Sequence, residues 1–112
     1  MENYPSLDHV FGALADPTRR AVIQRLGMGP ASVKELSAPF DMALPSFMKH
    51  ITVLEKSGLL QSEKSGRVRM CRIKKPPLAA AEQWVVEQRA LWEARTERLA
   101  DYVEALAAKE KE

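Results

Sequence analysis

Residues 42–60, MALPSFMKHITVLEKSGLL, decide how the rest of the chain is read. Pro45 stands where a first-turn proline is tolerated, because the amide it lacks would have no helical partner there, and Ser57-Gly58 supplies a helix end. At about 100° per residue, Phe47, Ile51 and Leu54 fall on one side with Val53 and His50 at its edge, while Pro45, Met48, Lys49 and Thr52 fall opposite. One face is built for a core. The other offers a short side chain, a flexible apolar one, a cation and a hydroxyl, a set that can read nucleic acid but packs poorly. An ordinary amphipathic surface helix has the same pattern, so the neighbouring segments must decide.

Charge is the first of those neighbours. The net charge of +2 hides an asymmetry: residues 1–42 carry four Lys/Arg against five Asp/Glu, residues 43–76 eight against two, and residues 77–112 five against eight. The middle third is therefore where a polyanion would bind, and the acidic last third should be repelled by it.

At 112 residues, with 46% hydrophobic and 29% charged residues, the sequence is expected to form one soluble domain, 1–112, with a core of its own. No run approaches a membrane span, and the opening MENYPSLD lacks the basic and apolar regions of a secretion signal, which places the protein in the cytoplasm. Cys71 is the single cysteine and only His9 and His50 accompany it, so neither a disulfide nor a metal site is expected, and no cofactor. No Ser/His/Asp, Cys/His or glycine-rich phosphate-loop arrangement stands in a context that would support catalysis, so the chain reads as a non-enzyme.

Upstream of the central helix, Leu7, Val10, Phe11 and Leu14 have helical spacing. Asp16-Pro17 gives an N-cap and a first-turn proline for a second helix ending near Leu26, with Ala15, Val22, Ile23 and Leu26 as its apolar face and Arg19, Arg20 and Arg25 mainly outside it, Arg25 on a solvated face. Gly27-Met28-Gly29-Pro30 interrupts the chain, and Ser32 with Glu35 forms a capping box that starts a short third helix ending at Ser37 or Ala38. Pro39-Phe40-Asp41 is then a short turn into the central helix, 44–57. Two helices in this order, the second with an outward polar face, match a helix-turn-helix unit.

Downstream the period changes. Leu60–Lys64 and Arg67–Ile73 are extended runs joined by Ser65-Gly66, a two-residue hairpin connection within 60–73. Cys71 and Ile73 are expected to face the core, while Lys64, Arg67 and Arg69 project as a charged tip. Lys74-Lys75-Pro76-Pro77 ends the hairpin, and no proline or glycine interrupts Leu78 to about Ala107, so a terminal helix is placed at 76–108. Its face of Leu78, Ala81, Val85, Trp92, Leu99, Tyr102 and Leu106, flanked by Trp84, Leu91 and Val103, is too apolar for water. Part should bury against this domain and part against a second copy, making Trp84, Leu91, Trp92, Leu99, Tyr102, Val103 and Leu106 dimerisation residues. The two tryptophans could instead line an effector pocket at that seam. The fold expected is mainly α with a small β-hairpin: a winged helix-turn-helix with a long C-terminal dimerisation helix.

FGALADPTRRAVIQRL, ASVKELSAPFDMALPSFMKHITVLEKSGLL, the hairpin SEKSGRVRMCRI and the terminal WVVEQRALWEARTERLADYV together resemble the ArsR-type family of bacterial winged helix-turn-helix repressors. The resemblance implies a cytoplasmic homodimer that occupies an operator, with its first and terminal helices at the dimer interface. Many family members release DNA when a metal, metalloid or oxidant reaches cysteine or histidine ligands. Here the third helix has no cysteine and the terminal helix no histidine, so the resemblance is to the branch without the metal-binding cysteines. Cys71 lies on the strand parity expected to be buried, which speaks against a redox role.

Ala43, Leu44 and Met48 stand where relatives often carry polar residues. Base contacts should therefore lean on Ser46, Lys49 and Thr52, with apolar contact to thymine methyls. The candidate DNA-binding set is Ala43, Leu44, Pro45, Ser46, Met48, Lys49, His50, Thr52, Lys64, Arg67 and Arg69. His50 is either a locally bonded histidine at the core edge or a phosphate contact. The partners expected are double-stranded DNA and a second copy of the chain, with a small-molecule effector left open and no membrane. The competing reading is a winged-helix protein-interaction module without specific DNA binding, in which Leu44 and Met48 grip a protein. Salt separates the two, because phosphate neutralisation releases counterions and an apolar contact does not.

Overall fold

The structure, a computed structural model, describes residues 7–111. The reading of residues 1–6 as free of a secretion signal falls outside that range. Two compact units divide at Ala81/Glu82. The first holds α1 (Leu7–Leu14), α2 (Pro17–Leu26), β1 (Ala31–Ser32), α3 (Val33–Ser37), α4 (Leu44–Lys56), β2 (Leu60–Ser65), β3 (Val68–Ile73) and the opening turns of α5 (Lys75–Glu110). The second is the rest of α5. Among the described residues no helix is long and apolar enough to cross a membrane.

Local chemistry explains the boundaries. The Asp16 carboxylate accepts the Arg19 amide at 3.0 Å ahead of Pro17, satisfying one of the donors orphaned at a helix start. Ser32 Oγ accepts the Glu35 amide at 3.0 Å and Glu35 Oε1 the Ser32 amide at 3.1 Å, the reciprocal pair expected for α3. At the far end of α4, Ser57 is buried, yet its hydroxyl donates to the Leu54 carbonyl at 2.7 Å and accepts the Leu59 amide at 3.3 Å. Gly58 follows at φ +81°, a left-handed conformation that other residues adopt at a cost, so the chain can leave the helix and enter β2.

The core of this unit forms around α4. Phe47, Ile51 and Leu54 are each 0% exposed and gather with Val10, Val22, Leu26, Leu36, Leu59 and Cys71 in one cluster. Each such apolar side chain contributes on the order of 1.5–3 kcal/mol by leaving water. Pro77 and Ala81 at the start of α5 are also buried, and Leu78 packs against the cluster.

Several expectations need correction. The sheet has three strands in the order β1-β3-β2, all antiparallel, because Ala31 and Ser32 pair with Cys71 and Met70. Ser65 pairs with Val68, so the hairpin connection is Gly66-Arg67, one residue later than expected, with the positive φ of +63° at Gly66. The prolines 76 and 77 do not separate hairpin from helix: α5 begins at Lys75 and takes them into its first turn, where their missing N–H groups cost nothing. Ala15 is exposed in the α1–α2 turn, off the α2 apolar face. Arg25 is also tied down, donating to the Gly29 carbonyl at 3.2 Å and lying 3.9 Å from Glu35.

Candidate nucleic-acid interface

The first turns of α4 stand clear of the core. Ala43, Leu44, Pro45, Ser46, Lys49 and Thr52 are exposed, Leu44 by 55%. This follows from the sequence, since the buried side chains recur at 47, 51 and 54 and leave the opposite arc free. Met48 departs from the outward placement expected of it: it is half-buried and packs against the core cluster, so its thioether reaches the surface only in part. Thr52 Oγ1 donates to the Met48 carbonyl at 3.0 Å. Its proton is thereby committed, leaving its lone pairs to accept and its methyl to meet a thymine.

α3, the start of α4 and the hairpin end enclose a cleft of about 640 Å³. Leu44 and Met48 line it from α4; Lys64, Arg67, Val68 and Arg69 line it from the hairpin; Lys34 and Ser37 line it from α3. Four cations border this space, and the field in a concave site with that lining favours an anion. Lys34 was not among the expected site residues. The helix-turn-helix order itself carries the missing signal, because the helix before the reading helix crosses the backbone of the duplex.

The two hairpin arginines are unlike. Arg67 is exposed in the turn beside Gly66, as expected of a charged tip. Arg69 is half-buried; its NH1 donates to Ser62 Oγ at 3.0 Å, and Ser62 Oγ donates to Glu55 Oε1 at 3.1 Å. A three-residue chain of hydrogen bonds thus holds the hairpin to the last turns of α4, and Arg69 is not a freely projecting cation. Lys64, opposite Arg69 across the strands, is exposed.

His50 takes the locally bonded position. Arg19 NH1 lies 3.1 Å from His50 Nδ1, and Asp16 Oδ2 lies 3.7 Å from the same nitrogen. The Arg19 amide above all, with the nearby Arg19 guanidinium, holds the Asp16 carboxyl below the usual aspartate range against some opposition from burial. Cys71, fully buried on β3, has its thiol pushed up by burial first and by Glu55 second, with Arg69 opposing, which disfavours the reactive thiolate. Among the described residues no three His, Cys, Asp or Glu side chains gather as metal ligands.

The expected dimerisation residues lie on α5. Trp84, Leu91, Trp92, Leu99, Tyr102, Val103 and Leu106 are between 44% and 67% exposed in the single chain and, at about 100° per residue, share one stripe of the helix. Trp92 borders a shallow groove along the helix with Arg89, Glu93, Thr96, Glu97 and Ala100.

A helix-turn-helix domain model matches residues 14–63, the span from the end of α1 to the middle of β2. The HTH-type transcriptional regulator Rv2034 of Mycobacterium tuberculosis is 36% identical over 80 residues, 71% of this chain and 75% of that protein. A crystal structure of an ArsR family transcriptional regulator is 62% identical, covers 78% of this chain and 96% of its own, and superposes with a TM-score of 0.75. The chain belongs to the ArsR family of transcriptional regulators. A second relative of known structure, an ArsR-like regulator from Rhodococcus, is 28% identical with a TM-score of 0.71 over 83% of this chain and 88% of its own. The transcriptional repressor SdpR of Bacillus subtilis is 26% identical over 61 residues, 54% of this chain and 68% of that protein. The chain is thus a winged helix-turn-helix DNA-binding regulator of transcription, the α3–α4 pair being its helix-turn-helix and β2–β3 its wing. The protein-interaction module is set aside as the main reading.

Proposed function

We propose that this protein is a cytoplasmic, homodimeric repressor that occupies an inverted-repeat operator in double-stranded DNA. One observation carries the reading: Leu44 and Met48 at the start of α4 line one cleft with the wing cations Lys64, Arg67 and Arg69, all within the basic third of the chain. In this arrangement α4 enters the major groove. Ser46 and Lys49 meet base edges, Thr52 offers its lone pairs and methyl, and Ala43, Leu44 and Pro45 make apolar contact. Arg67 and Lys64 neutralise backbone phosphates, and Lys34 does the same from α3. The exposed apolar stripe of α5 supports pairing with a second copy, since water is a poor partner for two tryptophans and three leucines on one helix. Two copies would present two α4 helices to two half-sites, whence the inverted repeat. The relative SdpR is named a repressor, which favours that sign of regulation. No catalytic step and no metal form part of this function.

The test is selection of bound sites from random DNA followed by titration of the selected site over several salt concentrations. Expected are an enriched inverted repeat and a log–log salt slope that is steep and negative. Failure to enrich any sequence, with affinity insensitive to salt, would return the protein-interaction module as the better reading.

A further inference from the structure

We infer that Arg19 is a positioning residue for operator recognition: its guanidinium ties the reading helix α4, through His50, to the C-terminal end of α1. The inference rests on the reading of α4 as the helix that meets bases. Arg19 sits in the first turn of α2. Its Nε donates to the Ala13 carbonyl at 2.8 Å and its NH2 to the Gly12 carbonyl at 3.2 Å, both in the last turn of α1. The last carbonyls of a helix lack the partners of its interior, although Gly12 also accepts the Ala15 amide at 3.2 Å, and the helix dipole favours a cation beside them. The third arm, NH1, meets His50 Nδ1 at 3.1 Å.

The proton count settles the nature of that contact. Arginine can only donate, so a hydrogen bond here requires Nδ1 to accept, with the ring proton on Nε2. Asp16 Oδ2, at 3.7 Å, is beyond hydrogen-bond range of Nδ1 and already accepts the Arg19 amide. One planar group thereby joins α1, α2 and α4 with three N–H vectors. A lysine keeps the charge and loses the fork.

The location on α4 gives the clamp its consequence. His50 follows Lys49 directly and lies one helical turn after Ser46, so any roll of α4 that the clamp prevents would move both base-facing side chains together. The opposite end of α4 is held separately, by the Glu55–Ser62–Arg69 chain. Recognition demands that such side chains be held to within about 0.5 Å, and Arg19 supplies a polar tie beside the reading residues in addition to the core packing of Phe47.

Arg19→Lys and His50→Leu, singly and together, test this on the full-length protein. Each is titrated against the selected operator and random DNA at several salt concentrations, and the imidazole nitrogens of Arg19→Lys are compared with wild type by NMR. Arg19→Lys is expected to shift the His50 Nδ1 resonance and to lower operator preference about tenfold, leaving random-DNA affinity and salt slope unchanged. The double variant should lose no more preference than His50→Leu alone, because both remove the same tie. Overturning results are full operator preference in Arg19→Lys, an unmoved Nδ1 resonance, additive losses in the double variant, or an equal loss on both DNAs with a shallower slope, which would make Arg19 a phosphate contact. Should Arg19→Lys fail to fold, His50→Leu leaves the Arg19 bonds to α1 in place: lost preference at constant slope supports the clamp, and a reduced slope overturns it. A wild-type protein with no preferred site would defeat the operator reading, whereas the Nδ1 resonance would still report the clamp.

Discussion

α4 and α5 both carry apolar stripes, yet the chain finishes only one of them. On α4 the stripe of Phe47, Ile51 and Leu54 is wholly buried by the surrounding helices and β2, while the α5 stripe leaves Trp92 67% and Leu99 63% exposed. A buried stripe is a folding device, and its opposite arc is free for function. An exposed stripe of this size marks an association surface, and the homodimer proposed above would cover it with a second copy. An apolar stripe therefore means different things on the two helices, and the difference is settled by what else the chain supplies to pack against each.

Substitutions can break this contrast. Phe47→Ala should give the largest effect, about 3–5 kcal/mol of lost stability measured by urea unfolding, because it opens a cavity with no exposed route for relaxation. Leu99→Glu should instead leave the α1–α4 core intact and move the species seen in sedimentation equilibrium from twice the 12.6 kDa chain mass toward the single chain. It should weaken operator binding strongly in parallel, since two half-sites are no longer read together. A wild-type protein that sediments as a monomer at micromolar concentration would remove the distinction between the helices.

Smaller effects sharpen the division within the DNA surface. Ser46→Ala is expected to cost on the order of 1–3 kcal/mol on the operator and little on random DNA. Arg67→Ala should weaken both DNAs alike and lower the salt slope by about one unit per subunit. Arg69→Ala should behave differently from Arg67→Ala, because it also removes the bond that braces Ser62 in its tie to Glu55 of α4 and so reduces operator preference. Identical behaviour of the two arginines would mean that the tie has no role in recognition.

The smallest effect concerns the α2 cap. Asp16 is depressed in the folded protein, so its contribution to stability is present above the ordinary aspartate range and is lost as pH falls through the depressed value. Asp16→Ala should cost about 1 kcal/mol at neutral pH. The difference from wild type, followed by thermal melts, should shrink on acidification.

The legible parts of the sequence were those governed by local rules. The Asp16-Pro17 start, the Ser32/Glu35 capping box, the Ser57-Gly58 stop and the buried face of α4 all emerge from spacing and residue chemistry within one helical turn. β1 was missed because its two residues, Ala31 and the capping Ser32, carry no alternation of their own; only pairing with Cys71 and Met70 makes them a strand. Pro76 and Pro77 pointed to a break because proline punctuates chains, yet at the first turn of a helix it is permitted. Of the candidate site, exposure on α4 was legible, whereas the half-burial of Met48, the Thr52 bond to Met48, and the Arg19–His50 and Arg69–Ser62 bonds were not. The two arginine bonds join side chains 31 and 7 positions apart on different elements, which periodicity does not encode, and the Thr52 bond is a choice of rotamer within α4.

Hydrogen exchange measured by mass spectrometry on the free protein and on its operator complex tests the contrast between α4 and α5 in one experiment. At micromolar concentration the free protein should protect α5 from Glu82 onward as well as it protects α4. Adding operator should slow exchange further in the first turns of α4 and at the Gly66-Arg67 connection while leaving α5 unchanged. Contradiction would be α5 exchanging like an isolated helix in water, or the operator protecting α5 and sparing α4.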